Sequence, residues 1–208
     1  MRTVSFALLL AVAAGFASPG RSDNVFDFLD FKTAGLFRVG ALAPFGKTLR
    51  EEFGTRYPVG FEARARSRFG FGVWASAGIW WKSDSADVST YVPLAVGGFY
   101  SRKYLRGLVC PYVGAFVSPV FTDLYFPVGD SSVRAHGAGT TAGLTLGTEV
   151  PLSALACLVA DVSLGFGSAG MTLDAPAAGM PAGRNSVSLS NFTASLGLST
   201  GFGDLPLW

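Results

Sequence analysis

The chain has 208 residues, half of them apolar, and its formal net charge is only +2. Such a small charge gives no electrostatic footprint for nucleic acid, so no nucleic-acid partner is expected. After the first 17 residues no segment supplies about 18 consecutive apolar residues, which argues against a helical membrane protein.

The N-terminus has the pattern of an export signal. Met1 and Arg2 give a positive start, an apolar core covers 6–14, and small residues end it at Ala17. This predicts a signal peptide over 1–17, because a membrane anchor needs a longer apolar run of about 20 residues. A periplasmic segment over 18–34 follows, which either extends the first strand or forms a short helix. The barrel domain is then predicted over 35–208.

Eight later runs alternate between apolar and small or polar residues, the period of a β-strand with two different faces. The connections between them alternate between short and long, which is typical of outer-membrane barrels with periplasmic turns and outer loops. The sequence therefore predicts an all-β, closed, eight-stranded antiparallel transmembrane β-barrel. The strands are placed at about 35–43, 56–67, 70–82, 89–102, 107–118, 138–150, 155–167 and 190–202. The longer loops are placed at 44–55, 83–88, 119–137 and 168–189.

The charged residues of these strands fall on the parity opposite to the apolar residues. An arginine facing lipid at the midplane costs about 2–4 kcal/mol, so these charges are predicted to face the lumen. Opposite signs should pair there, and a structural plug of ion pairs is favoured over the lining of a narrow pore. The predicted lumen charges are Arg38, Glu62, Arg64, Arg66, Glu149 and Asp161.

Aromatic residues cluster near the ends of the predicted strands. Amphipathic rings prefer the headgroup level of a bilayer, so two interfacial girdles are expected. The outer girdle is predicted from Tyr57, Trp80, Trp81 and Tyr91, and the periplasmic girdle from Tyr100, Tyr104, Phe202 and Trp208.

Three segments carry a resemblance to a known family. Residues 91–119, with their Pro-Tyr-Val-Gly strand, the Gly-rich hairpin at 139–166 and the closing strand at 190–202 resemble the small outer-membrane barrels of the opacity and OmpA-like type. The resemblance implies an eight-stranded barrel in the bacterial outer membrane. It also implies a C-terminal aromatic signal for the barrel assembly machinery, although residues 203–207 separate Phe202 from Trp208 here.

The chain shows little catalytic chemistry. The single histidine, His136, lies near Asp130, Ser131 and Ser132 in a predicted loop, a spacing that arises by chance in polar loops. No metal site, cofactor or enzymatic activity is predicted. The two cysteines open the fifth and seventh strands, and alternate strands lie about 10 Å apart, which favours two free thiols over a disulfide.

The expected function is that of a non-enzymatic outer-membrane barrel. Its lumen is largely closed by salt bridges, and it supports the envelope, binds a surface partner through its loops, or does both. The alternative is a narrow channel for small solutes, with the inward charges as its lining. The expected partners are outer-membrane lipid, the barrel assembly machinery and a surface partner at loops 119–137 and 168–189.

Overall fold

The computed structural model describes residues 32–84, 87–128, 131–153, 156–177 and 180–200. The predicted signal peptide, nearly all of the periplasmic segment, and Phe202 and Trp208 lie outside the described residues.

Nine strand segments and one short α-helix form the described part of the chain. All eight predicted strands are present, and a ninth segment lies where the last long loop was expected. The strands are β1 (Lys32–Pro44), β2 (Val59–Arg66), β3 (Phe71–Asp84), β4 (Asp87–Ser101), β5 (Cys110–Val128), β6 (Ser131–Pro151), β7 (Ala156–Leu173), β8 (Gly183–Ser188) and β9 (Asn191–Thr200). The helix α1 covers Lys47–Phe53, and a 3₁₀ turn covers Leu105–Gly107.

The sheet closes on itself, as the sequence predicts. Each strand from β1 to β7 pairs antiparallel with the next, and β9 pairs with both β7 and β1. β8 and β9 follow one another along the same edge of β7: β8 pairs with Ser168–Leu173 and β9 with Ala156–Gly165. Together they occupy the eighth strand position, so the barrel is eight-stranded and has no free edge in the part that spans lipid.

The barrel has two unlike ends. The turns after β2, β4 and β6 meet at one end, which we call the short-turn end. The connections after β1, β3, β5 and β7 meet at the opposite end, which we call the hairpin end. Among the described residues, no helix is long and apolar enough to cross a membrane.

The two longest predicted loops, 119–137 and 168–189, are largely strand, which corrects the sequence interpretation. β5 and β6 run on through 119–137 and stay paired up to Val128 and Ser131. β7 and β8 form a second hairpin within 168–189. The sequence prediction ended the fifth strand before Pro119, because proline usually interrupts a strand. The β4–β5 rungs next to it are absent, between the pairs Pro93–Val120 and Val96–Val117, while its pairing to β6 is kept. Because proline lacks only its own N–H, the strand passes through it with a local loss of rungs.

Candidate functional site: the lumen

The six predicted lumen charges meet inside the barrel towards the short-turn end. Arg38 lies on β1, Glu149 on β6 and Asp161 on β7, while the other three alternate along β2. We call these six residues the lumen charge network: Arg38, Glu62, Arg64, Arg66, Glu149 and Asp161. Alternation along β2 places Glu62, Arg64 and Arg66 on one face, opposite the apolar residues Phe61 and Ala63.

Arg64 lies at the centre of the network. Its guanidinium donates from Nε to Glu62, from Nη1 to Glu149 Oε1 at 2.8 Å, and from Nη2 to the Tyr112 hydroxyl at 2.9 Å. The same group lies over the rings of Tyr112 and Phe99, at 4.6 and 5.5 Å from their centroids. With 2% of its side chain exposed, Arg64 joins β2 to β4, β5 and β6 across the lumen.

Asp161 forms the second centre. It accepts hydrogen bonds from the hydroxyls of Tyr112 and Ser195, each at 2.7 Å, and pairs with Arg38 Nη2 at 2.9 Å. Arg38 also pairs with Glu62 at 3.1 Å, which connects the two centres. The carboxylate is therefore held by side chains of three other strands, β1, β5 and β9.

The network is electrically balanced. Arg66 completes it by pairing with Glu149 at 2.7 Å, so three arginines face three carboxylates. The side chains of all three carboxylates are 1–2% exposed. Charges so deeply buried are tolerated only when they are paired and hydrogen-bonded, and removing one partner of such a pair costs about 3–5 kcal/mol.

Tyr112 and Ser195 are members of this site that the sequence did not identify. The parity of β5 is ambiguous in the sequence because both of its faces carry apolar residues. The uninterrupted series Val113, Ala115, Val117 is the outer one, and its exposure leaves Tyr112 on the inside.

The lumen is filled differently at the hairpin end. There the inward side chains are apolar and pack together as a buried cluster, to which α1 contributes Leu49, 2% exposed. We call this the apolar cluster: Leu42, Leu49, Trp80, Tyr91, Val120, Leu124, Phe126, Ala135, Ala169, Met171, Leu173, Ala177, Val187 and Leu189. Phe126, expected in an outer loop, is thus an interior residue.

A cavity of about 150 Å³ lies between the lumen charge network and the apolar cluster. Arg38, Arg64 and Asp161 of the charge network line one side of it, and Trp80 and Tyr91 of the apolar cluster line another.

The aromatic residues predicted to form the girdles do not all lie on the exterior. Tyr57, Trp81, Tyr100 and Tyr104 lie on the exterior, between 42% and 77% exposed. Trp80 and Tyr91 do not: they are 7% and 1% exposed, and their rings stack in the interior at 3.9 Å. The prediction was wrong for Trp80 because neighbours in a strand face opposite sides, so Trp80 and Trp81 cannot both face lipid. It was wrong for Tyr91 because Tyr91 pairs directly with Trp80 and therefore faces the same side.

The barrel exterior carries an apolar band without charge. On β7, for example, the outward residues from Leu158 to Phe166 are apolar, and Phe166 is 60% exposed. Across the described residues at the level of this band, no outward side chain is charged. The band ends in one row of polar or proline residues, since Pro119 pairs with Thr140 and Thr140 pairs with Ser168.

The face polarity reverses beyond that row. Asp123 and Arg134 form an exposed, bidentate ion pair at 2.8 and 2.5 Å on the outside of the β5–β6 hairpin, close to His136 in register. The hydrogen bond to Asp123 raises the pKa of Arg134 above its ordinary value. This part of the wall is polar outside and apolar inside, as in a water-exposed β-structure.

Comparison with known proteins places the fold. No protein-family model matches the chain, and no curated protein matches it. Among solved structures it is similar to Neisserial surface protein A, at 14% identity and a TM-score of 0.51, covering 83% of this chain and 97% of that one. It is also similar to a major outer membrane protein of Thermus thermophilus, at 13% identity, 83% and 100% coverage and a TM-score of 0.49. A third similar structure is the N-terminal barrel domain of Pseudomonas aeruginosa OprF, at 12% identity, 81% and 97% coverage and a TM-score of 0.48.

The chain folds as a small outer-membrane β-barrel. A closed barrel satisfies every backbone group within the hydrocarbon, and its charge-free outer band is a surface for lipid. The barrel therefore belongs in the outer membrane, the location that the sequence predicts.

Other candidate chemistry in the barrel is sparse. Ser132 and His136 are four residues apart on β6, about 13 Å along a strand, so they cannot form a nucleophile–base pair. Cys110 and Cys157 are buried free thiols. No cluster of metal ligands occurs within the described ranges.

Proposed function

We propose that this protein is a closed, non-conducting outer-membrane barrel that presents its two long hairpins outside the membrane. The observation that carries the proposal is the lumen charge network. It crosses the barrel from β2 to β6, is neutral, and is bonded at 2.7–3.2 Å through every member. The apolar cluster supports the same conclusion from the other end, because a mobile ion would have to pass between packed, uncharged side chains there.

The hairpins supply the surface for recognition. β5 has 19 residues, whereas a tilted strand crosses a membrane with about 9–11. Roughly half of this strand, and of its partner β6, therefore projects beyond the lipid. The projecting outer face carries Phe121, Asp123, Tyr125, Arg134 and His136, a mixture of aromatic and charged groups that suits a protein or glycan partner better than lipid.

Conductance separates the closed barrel from the narrow channel. Protein reconstituted in planar bilayers in 1 M KCl should show no stepwise current, while a porin treated in the same way should. Discrete, reproducible conductance steps in the unmodified barrel would establish the channel and overturn the proposal.

Labelling tests which end of the barrel projects outwards. Ser132→Cys lies at the hairpin end and Ser153→Cys at the short-turn end, and both positions are exposed. A membrane-impermeant maleimide applied to intact cells should label only Ser132→Cys, and permeabilisation should add Ser153→Cys. The reverse pattern would place the hairpins in the periplasm, where they could not meet a surface partner.

A further inference from the structure

We infer that the cavity inside the barrel is a binding site for a small aromatic carboxylate. The site goes beyond the closed-barrel function, since a molecule held in the lumen needs no conducting path. Its recognition rests on a guanidinium at one end and aromatic rings along the walls.

The charged end of the cavity presents a cation. Three members of the lumen charge network line it, but they are covered to different degrees. The side chain of Arg38 is 20% exposed, against 2% for Arg64 and 1% for Asp161. Arg38 also uses only Nη2 in its ion pairs with Glu62 and Asp161. Two arginines and one carboxylate therefore line this end, and the Arg38 guanidinium is the most exposed of the three, which favours an anionic group.

The walls are suited to a ring. Trp80 and Tyr91 stack on one another at 3.9 Å, and Trp74 and Phe116 form a tilted pair at 6.0 Å. All four side chains line the cavity. A further aromatic ring, in an offset or edge arrangement, would make stabilising contacts with these side chains that water cannot make.

The remaining lining and the volume limit the ligand's size and shape. Hydroxyl side chains also line the cavity, and while Ser118 and Thr145 donate to the backbone carbonyls of Pro119 and Val162, the hydroxyl of Thr141 can donate to a second carboxylate oxygen. A cavity of about 150 Å³ has room for a single aromatic ring and not for two. A single ring with one carboxylate directly attached fits these limits, and benzoate is the simplest probe.

Binding is measured by the intrinsic fluorescence of the two tryptophans that line the cavity, after the other two have been replaced. The chain has four tryptophans. Trp81→Phe combined with Trp208→Phe leaves Trp74 and Trp80, both of which line the cavity. The barrel is refolded into detergent in the presence of increasing benzoate, so that entry into the lumen does not limit the result. We expect a saturable change in emission, with benzylamine and benzamide binding at least tenfold more weakly.

Two variants test the location. Ala95 faces the cavity and Ala115 faces lipid, so Ala95→Phe should weaken benzoate binding at least tenfold whereas Ala115→Phe should leave it unchanged. Ser118→Leu, which fills the same space more modestly, replaces Ala95→Phe if the latter does not give the heat-modifiable folded form. Arg38→Gln should remove the preference for benzoate over benzamide.

The inference is overturned by any of three results. One is a non-saturable response to benzoate up to 50 mM, which would mean that the cavity holds water only. Another is equal affinity in the folded cavity-filled and lipid-facing variants. The third is an affinity for benzylamine equal to that for benzoate, which would remove the role of Arg38.

Discussion

Removing the Asp161 carboxylate should destabilise the barrel far more than removing an exterior carboxylate that lies equally close to its own arginine partner. Asp161→Ala leaves three arginines against two carboxylates and leaves the hydroxyls of Tyr112 and Ser195 without their acceptor. The loss of one partner of a buried ion pair costs about 3–5 kcal/mol. Arg38 keeps Glu62 as a partner and is partly exposed to the cavity, so the lower half of that range is expected.

Asp123→Ala is the matched control. Asp123 binds Arg134 at 2.5–2.8 Å, as closely as Asp161 binds its partners, but the two side chains are 31% and 52% exposed. Exposed pairs contribute about 0–1 kcal/mol, because water and salt screen them. Burial is then the main difference between the two substitutions.

The assay is urea unfolding in lipid vesicles, followed by tryptophan emission and by heat-modifiable gel migration. With an m-value of about 2 kcal/mol per M, a loss of 3–4 kcal/mol lowers the midpoint by about 1.5–2 M. Asp123→Ala should lower it by less than about 0.5 M. Equal shifts for the two variants would refute the assignment of Asp161 to a buried network.

Three further results are expected. Both cysteines should react with a maleimide in urea without prior reduction, because Cys110 and Cys157 are free; a mass corresponding to a disulfide would contradict this. Brominated lipids should quench Trp81 in the Trp80→Phe barrel much more than Trp80 in the Trp81→Phe barrel, and equal quenching would place both rings on the exterior. Deleting 123–136 removes both arms of the β5–β6 hairpin and should leave insertion intact. Deleting 131–137 alone removes the part of β6 that pairs with the projecting part of β5 and with β7, so this shorter deletion should impair assembly. Equal assembly of the two deletions would show that the upper rungs are dispensable.

The lumen charges are accessible to sequence reasoning because a single physical rule places them. A strand that faces lipid on one side must send its charges to the other, and Glu62, Arg64 and Arg66 share that side on β2. Which charges meet is not accessible in this way. The Arg64–Glu149 and Arg38–Asp161 pairs join strands far apart in the sequence, and the tilt of the strands and the size of the lumen decide which of them come level.

Tyr112 and the Trp80–Tyr91 stack show where the rule loses force. A tyrosine can face lipid at the headgroup level or fill a lumen with its hydroxyl bonded, so residue type does not decide its face. Register does decide it. Trp80 has the same parity on β3 as the inward residues Gly72 and Gly78, so it faces the lumen. Tyr91 pairs directly with Trp80 and therefore faces the lumen too.

The reversal of face polarity explains why the predicted strands ended too early. The sequence places strand ends at 118, 138 and 167, and the structure brings all three to within two rungs of one row, in which Pro119 pairs with Thr140 and Thr140 with Ser168. Below this level lipid surrounds the wall, so apolar residues face out and charges face in. Above it water surrounds the same strands, so Asp123 faces out while Leu124 is fully buried. Alternation with period two continues through the boundary and only its phase inverts. A search for strands with apolar exteriors therefore stops at the edge of the apolar band, and its endpoints on β5, β6 and β7 mark where the lipid-facing surface ends.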